Sequence, residues 1–131
     1  MAYEFNMDAD LRDMIIFGEP YMEDRYMGGV RHFSCIDTET AHKLMDNGFL
    51  DPQEYQNCSP DVKDLVEVAE KYPEMYLFGY TVSPDRDDYR VSIEGLKGYK
   101  PFKSLEDAED FIGLCRYADD FSIDPPYAWW D

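Results

Sequence analysis

Met75-Tyr76-Leu77-Phe78-Gly79-Tyr80-Thr81-Val82 and Tyr89-Arg90-Val91-Ser92-Ile93-Glu94-Gly95-Leu96 decide the fold. The first run is continuously apolar or aromatic. The second alternates: Tyr89, Val91 and Ile93 point one way and Arg90, Ser92 and Glu94 the other, at the two-residue period of a strand. Between them, Ser83-Pro84-Asp85-Arg86-Asp87-Asp88 is turn chemistry. The three segments together predict an antiparallel hairpin over about residues 75–96.

Outward from the hairpin, the preceding segment predicts a helix. Ser59-Pro60 is a start signal, a cap followed by proline. Val62, Leu65, Val66 and Ala69 recur at i, i+3, i+4 and i+7 as one buried stripe. Asp61, Asp64, Glu67 and Glu70 take the wet side, with Glu67 and Lys71 spaced for an i, i+4 ion pair, and Pro73 ends the helix after about Tyr72. Farther upstream, Val30–Ile36 reads as a strand. A helix then runs to about Asn47, capped by Asp37 or Thr38, with Ala41, Leu44 and Met45 inward and Asn47-Gly48 as its stop. Residues 1–29 form a less regular lead-in with one short helix, capped by Asp8 and packed through Leu11, Met14 and Ile15.

Downstream, Ser104 and Asp107 form a capping box for a helix to about Ala118, with Leu105, Ala108, Phe111, Ile112 and Cys115 inward. Residues 119–131 read as an acidic, aromatic tail containing Pro125-Pro126 and Trp129-Trp130. The order α-β-α-α-β-β-α gives an α+β fold: a small antiparallel sheet with three to four helices packed mainly on one face. A chain of 131 residues is of single-domain size and can bury a core without disulfides or metal.

Charge sets the functional expectation. Acids outnumber bases 29 to 12, a net charge of −17. Such a surface repels nucleic-acid backbones and anionic membranes and draws basic partners from a distance. Three cysteines without a C-x-x-C pair point to a reduced, cytoplasmic setting. The start Met1-Ala2-Tyr3-Glu4 has no basic stretch followed by an apolar run, so no secretory signal is read there.

Catalytic and metal motifs are weak. Asp85-x-Asp87-Asp88 imitates part of a calcium loop, but the positions that need glycine and glutamate hold Arg90 and Leu96. His32 and Cys35, on one strand, would point to opposite faces rather than share a metal. The transition-metal set of His32, His42 and Cys35 is disfavoured for that reason. No G-x-S-x-G, Walker loop or G-x-G-x-x-G occurs. An enzyme, a cofactor and a metal are therefore not expected.

Residues 104–131 hold 8 acids and 1 base, the densest anionic region. Glu106, Asp107, Glu109 and Asp110 crowd the first turns of the last helix, where the macrodipole alone favours acids. Asp119, Asp120 and Asp124 follow in the tail, beyond the reach of that effect. These seven are the candidate partner-binding acids. Tyr127, Trp129 and Trp130 are the alternative, as aromatic anchors, unless the tail folds back and packs them on the core. In size, charge and lack of catalytic motifs the chain resembles the small acidic nucleic-acid mimics of phages and mobile elements, which block restriction enzymes and CRISPR effectors. That resemblance implies an acidic inhibitor of a basic nucleic-acid-binding enzyme, with no direct nucleic-acid or membrane binding. The other expectation is a non-catalytic interaction domain using the hairpin and the C-terminal aromatics.

Overall fold

The computed structural model describes residues 3–131. Met1 and Ala2, part of the N-terminus read above as lacking a secretory signal, lie outside them. Four helices, α1 (Ala9–Phe17), α2 (Thr38–Asp46), α3 (Val62–Lys71) and α4 (Leu105–Leu114), accompany five strands. The strands are β1 (Val30–Ile36), β2 (Met75–Val82), β3 (Val91–Gly98), β4 (Asp120–Ile123) and β5 (Pro126–Trp129). They form one antiparallel sheet in the order β1-β2-β3-β5-β4. The α+β class with a small antiparallel sheet is thus the observed one. Among the described residues no helix is long and apolar enough to cross a membrane.

One core lies between the helices and one face of the sheet. Phe33, Ile36, Leu77, Ile93, Leu96 and Ala128 of the strands meet Ala41 and Leu44 of α2, the Val62-Leu65-Val66-Ala69 stripe of α3, and Phe111 of α4. The α3 stripe is buried as its spacing predicts. Its cap is Asp61, whose carboxylate accepts from the Asp64 N–H, not Ser59. The Ser59 hydroxyl instead closes the preceding turn, accepting from the Gln56 N–H and donating to the Pro60 carbonyl. Lys71 turns away from Glu67 and meets Asp110 of α4 at 3.6 Å.

The lead-in helix differs from its sequence reading. Asp8 caps α1, but Leu11 and Met14 are exposed, and the buried residues are Ala9, Arg12 and Asp13. A charged pair can occupy an inward stripe when its partners satisfy it. Arg12 Nε donates to Asp13 at 2.8 Å, and its other nitrogens donate to the Val82 carbonyl and the Tyr26 hydroxyl, each at 2.8 Å. Tyr26 donates to the second Asp13 oxygen and meets the Thr81 hydroxyl. Burial and the Asp13 hydrogen bond push the Tyr26 hydroxyl up to about 12, so it stays a donor.

The region 119–131 is not a tail. β4 and β5 form a second hairpin, and β5 extends the sheet by pairing with β3. Its packing settles the aromatic alternative for one residue: Trp130 is fully buried in the core and offers no surface to a partner. The last helix also ends earlier, at Leu114 rather than Ala118. Its buried side is set by Phe111, with Cys115 following, while Leu105 and Ile112 are exposed. Burial alone pushes the Cys115 thiol up to about 12, which leaves it inert.

A β-bulge interrupts the main hairpin. Phe78 pairs with Gly95 and Gly79 with Ile93, so Glu94 is the extra residue. The alternation Tyr89-Val91-Ile93 therefore shifts phase at Glu94, and Leu96 returns to the core side. Gly79 is required here, because a Cβ would lie 1.9 Å from the Ser92 carbonyl oxygen.

Candidate binding surfaces

The four helical acids come together. The Ser104 hydroxyl accepts from the Asp107 N–H and fixes the start of α4, and Phe111 anchors the helix in the core. Glu106, Glu109 and Asp110, at i, i+3 and i+4, then share one exposed stripe, with Asp107 half-buried beside it. The Lys71–Asp110 contact joins this stripe to α3, whose exposed side carries Asp64, Glu67 and Glu70. Among the described residues, no cationic group lies within 4 Å of Glu106, Asp107, Glu109, Asp64 or Glu67, whereas Glu70 meets His42 at 3.2 Å.

The three remaining acids belong to the second hairpin and its approach. Asp119 accepts from the Asp131 N–H at 2.7 Å and staples the ends of the second hairpin. Asp124 is exposed at its turn. Asp120 is the register partner of Trp129 and so shares the side of the sheet away from the helices. The expected surface centred on residues 106–124 is therefore divided between two faces of the molecule.

The face away from the helices is the second surface. Tyr76, Phe78 and Tyr80 of β2, Lys97 of β3, and Tyr127 and Trp129 of β5 lie on it, all half-buried. The Phe78 and Tyr127 rings are parallel within 2°, their centroids 5.6 Å apart. Tyr76 meets Tyr99 edge-on at 5.6 Å, and Tyr80 meets His32 at 5.8 Å. A hollow of about 390 Å³ opens here, lined in part by His32, Phe78, Glu94, Lys97 and Tyr127. A second, of about 420 Å³, adjoins it through Lys97 and Tyr127 and reaches Tyr99 and Pro125. Burial, then the charges of Asp120 and Glu94, raise the Tyr127 hydroxyl above its ordinary range.

Sequence reading found Tyr127 and Trp129 but missed Tyr76, Phe78, Tyr80, Glu94 and Lys97. The signal was the i, i+2, i+4 spacing of the three β2 aromatics, hidden inside a run apolar on both faces. The weak metal candidates have ordinary partners: Asp88 pairs with Arg86 and Arg90, and His42 with Glu70. Near Glu94, His32 is 4.0 Å from the carboxylate.

No protein-family model matches this chain, nor does any curated protein or solved structure. The functional reading therefore rests on its own residues.

Proposed function

We propose that the protein is an acidic binding and inhibitory protein, a nucleic-acid mimic of the anti-defence type that blocks a basic DNA- or RNA-binding enzyme. The observation that carries this reading is the exposed stripe Glu106-Glu109-Asp110 on a capped, core-anchored helix, beside the outward acids of α3. Successive helical turns set carboxylates about 5.4 Å apart along the axis. Duplex DNA presents one charge per roughly 1.7 Å, so acids drawn from two helices approach that density better than those of one. Lysines and arginines that clamp phosphates can engage carboxylates on such a scaffold. Mutual repulsion among uncompensated acids works against folding, which favours their retention for a partner.

The test is capture from bacterial lysate at low and at moderate salt, with mass spectrometric identification. The expected result is a nucleic-acid enzyme that added salt or competing DNA displaces. A salt-resistant partner without nucleic-acid function would overturn the reading.

A second reading, a non-catalytic interaction domain, is favoured by the half-buried aromatics of the uncovered sheet face. It uses Tyr127 and Trp129, not Trp130. In that case Trp129→Ala abolishes capture while neutralising the α4 acids does little.

A further inference from the structure

The hollow over the open sheet face combines three features that point to one kind of ligand group. The first is a carboxylate without a compensating cation. Glu94 is the bulge residue, and its side chain, opposite in phase to Ile93, lies on this face, where it is only 18% exposed. Its contacts are weak: the Trp129 indole N–H at 3.5 Å and the largely exposed His32 ring at 4.0 Å. A carboxylate withdrawn from water and left without strong partners is costly, and a cation that reaches it recovers that cost.

The second feature is an aromatic platform beside the carboxylate, a pair of parallel stacked rings. Phe78 and Tyr127 present parallel rings, and Gly95 makes room for Phe78: a Cβ there would lie 2.5 Å from the ring. Planar guanidinium groups stack on such rings and pair with carboxylates through two N–H donors, which a lysine ammonium cannot reproduce. The third is an internal precedent. The Lys97 ammonium lies 5.9 Å from the Phe78 ring centroid, so the platform already faces a cation. Among the described residues no carboxylate lies within 4 Å of Lys97, which leaves Glu94 free of it.

We propose that this hollow is an arginine-recognition site, which takes a guanidinium from an extended segment of a basic partner. The guanidinium stacks on the open ring face of the Phe78–Tyr127 pair and pairs with Glu94. The net charge of −17 favours a basic occupant and disfavours a second copy of the chain. The proposal rests on the reading of a basic partner and goes beyond it, since the surface lies on the opposite side of the sheet from the α4 acids.

The experiment uses the full chain and two soluble peptides, glycine-serine backbones bearing either arginines or lysines at the same positions. Binding is followed by backbone NMR and by tryptophan fluorescence, where Trp129 is the half-exposed reporter. The arginine peptide is expected to bind at least several-fold more tightly than the lysine peptide, with shifts centred on residues 78, 94 and 127. Glu94→Gln is expected to erase that preference. Neutralising Glu106, Asp107, Glu109 and Asp110 together lowers both affinities and leaves their ratio intact, so failure of the helical reading and failure of this one are separable. Equal affinity of the two peptides, or wild-type shifts confined to α4, would overturn the site without recourse to any variant. So would equal binding of an uncharged proline-rich peptide. Shifts of residues 78, 94 and 127 on diluting the protein alone would give the face to a second copy and also overturn it.

Discussion

Phe78 of β2 and Tyr127 of β5 lie with parallel, offset rings across β3, Phe78 over Gly95, tying the last strand of the chain to the main hairpin. The arrangement tolerates no side chain at residue 95. A Cβ there would lie 2.0 Å from the Ala128 carbonyl oxygen and would also strike the Phe78 ring. Gly95→Ala is expected to destabilise the fold by about 1–3 kcal/mol or more, the usual cost of overpacking. Urea denaturation measures it, and an unchanged midpoint would contradict the register of β3 with β5.

The two adjacent tryptophans are expected to behave differently. Trp130 is fully buried, whereas Trp129 lies half-buried on the open face. Trp130→Ala should cost about 3–5 kcal/mol of stability, and Trp129→Ala less than half as much. Equal losses would mean that the second hairpin is not seated as described.

The Arg12–Asp13 pair is expected to be costly to break singly. Both side chains are fully buried and share the Tyr26 hydroxyl. Removing one partner strands the other charge, so Arg12→Met or Asp13→Leu should each cost about 3–5 kcal/mol. The double variant should recover part of that loss. A double-mutant cycle checks it, and strict additivity would show that the two groups do not interact.

Glu54 supplies a pH-dependent prediction. Burial raises its carboxyl above the ordinary range, against the opposing pull of the Ser92 hydrogen bond and the Arg90 charge. The folded protein therefore holds this proton to higher pH than the unfolded chain does. Glu54 costs nothing below its unfolded value, and its ionisation removes stability as pH rises from there to the folded value, levelling off above it. Glu54→Gln, which keeps an acceptor for the Ser92 hydroxyl, should gain on the wild type across that window. A stability difference independent of pH would contradict the burial of this group.

What the sequence disclosed and what it concealed follow from where the determinants lie. The α3 stripe was legible because its period is local, and β1 and β2 because each is a short β-branched or apolar run bounded by glycine or proline. β4 and β5 were not, because each is four residues long, and Pro125-Pro126 reads as a loop. β5 becomes a strand by pairing with β3, a partner some thirty residues back in the chain. The burial of Arg12 and Asp13 was not legible, because the groups that satisfy them, Tyr26, Thr81 and the Val82 carbonyl, lie elsewhere in sequence. The grouping of Glu106, Asp107, Glu109 and Asp110 was legible from helical spacing. The placement of Asp120 on the opposite face was not, since it depends on the register of a hairpin that had read as a tail.

In the proposed function the α4 acids engage a basic partner in place of nucleic acid. The most direct test of that claim is the affinity for the captured partner as a function of salt, compared between the wild type and a variant with Glu106, Asp107, Glu109 and Asp110 all neutralised. Affinity of the wild type should fall steeply and linearly on logarithmic axes, the variant should bind more weakly with a shallower slope, and duplex DNA should compete with both. Salt-independent binding, or the same slope in the variant, would contradict the claim.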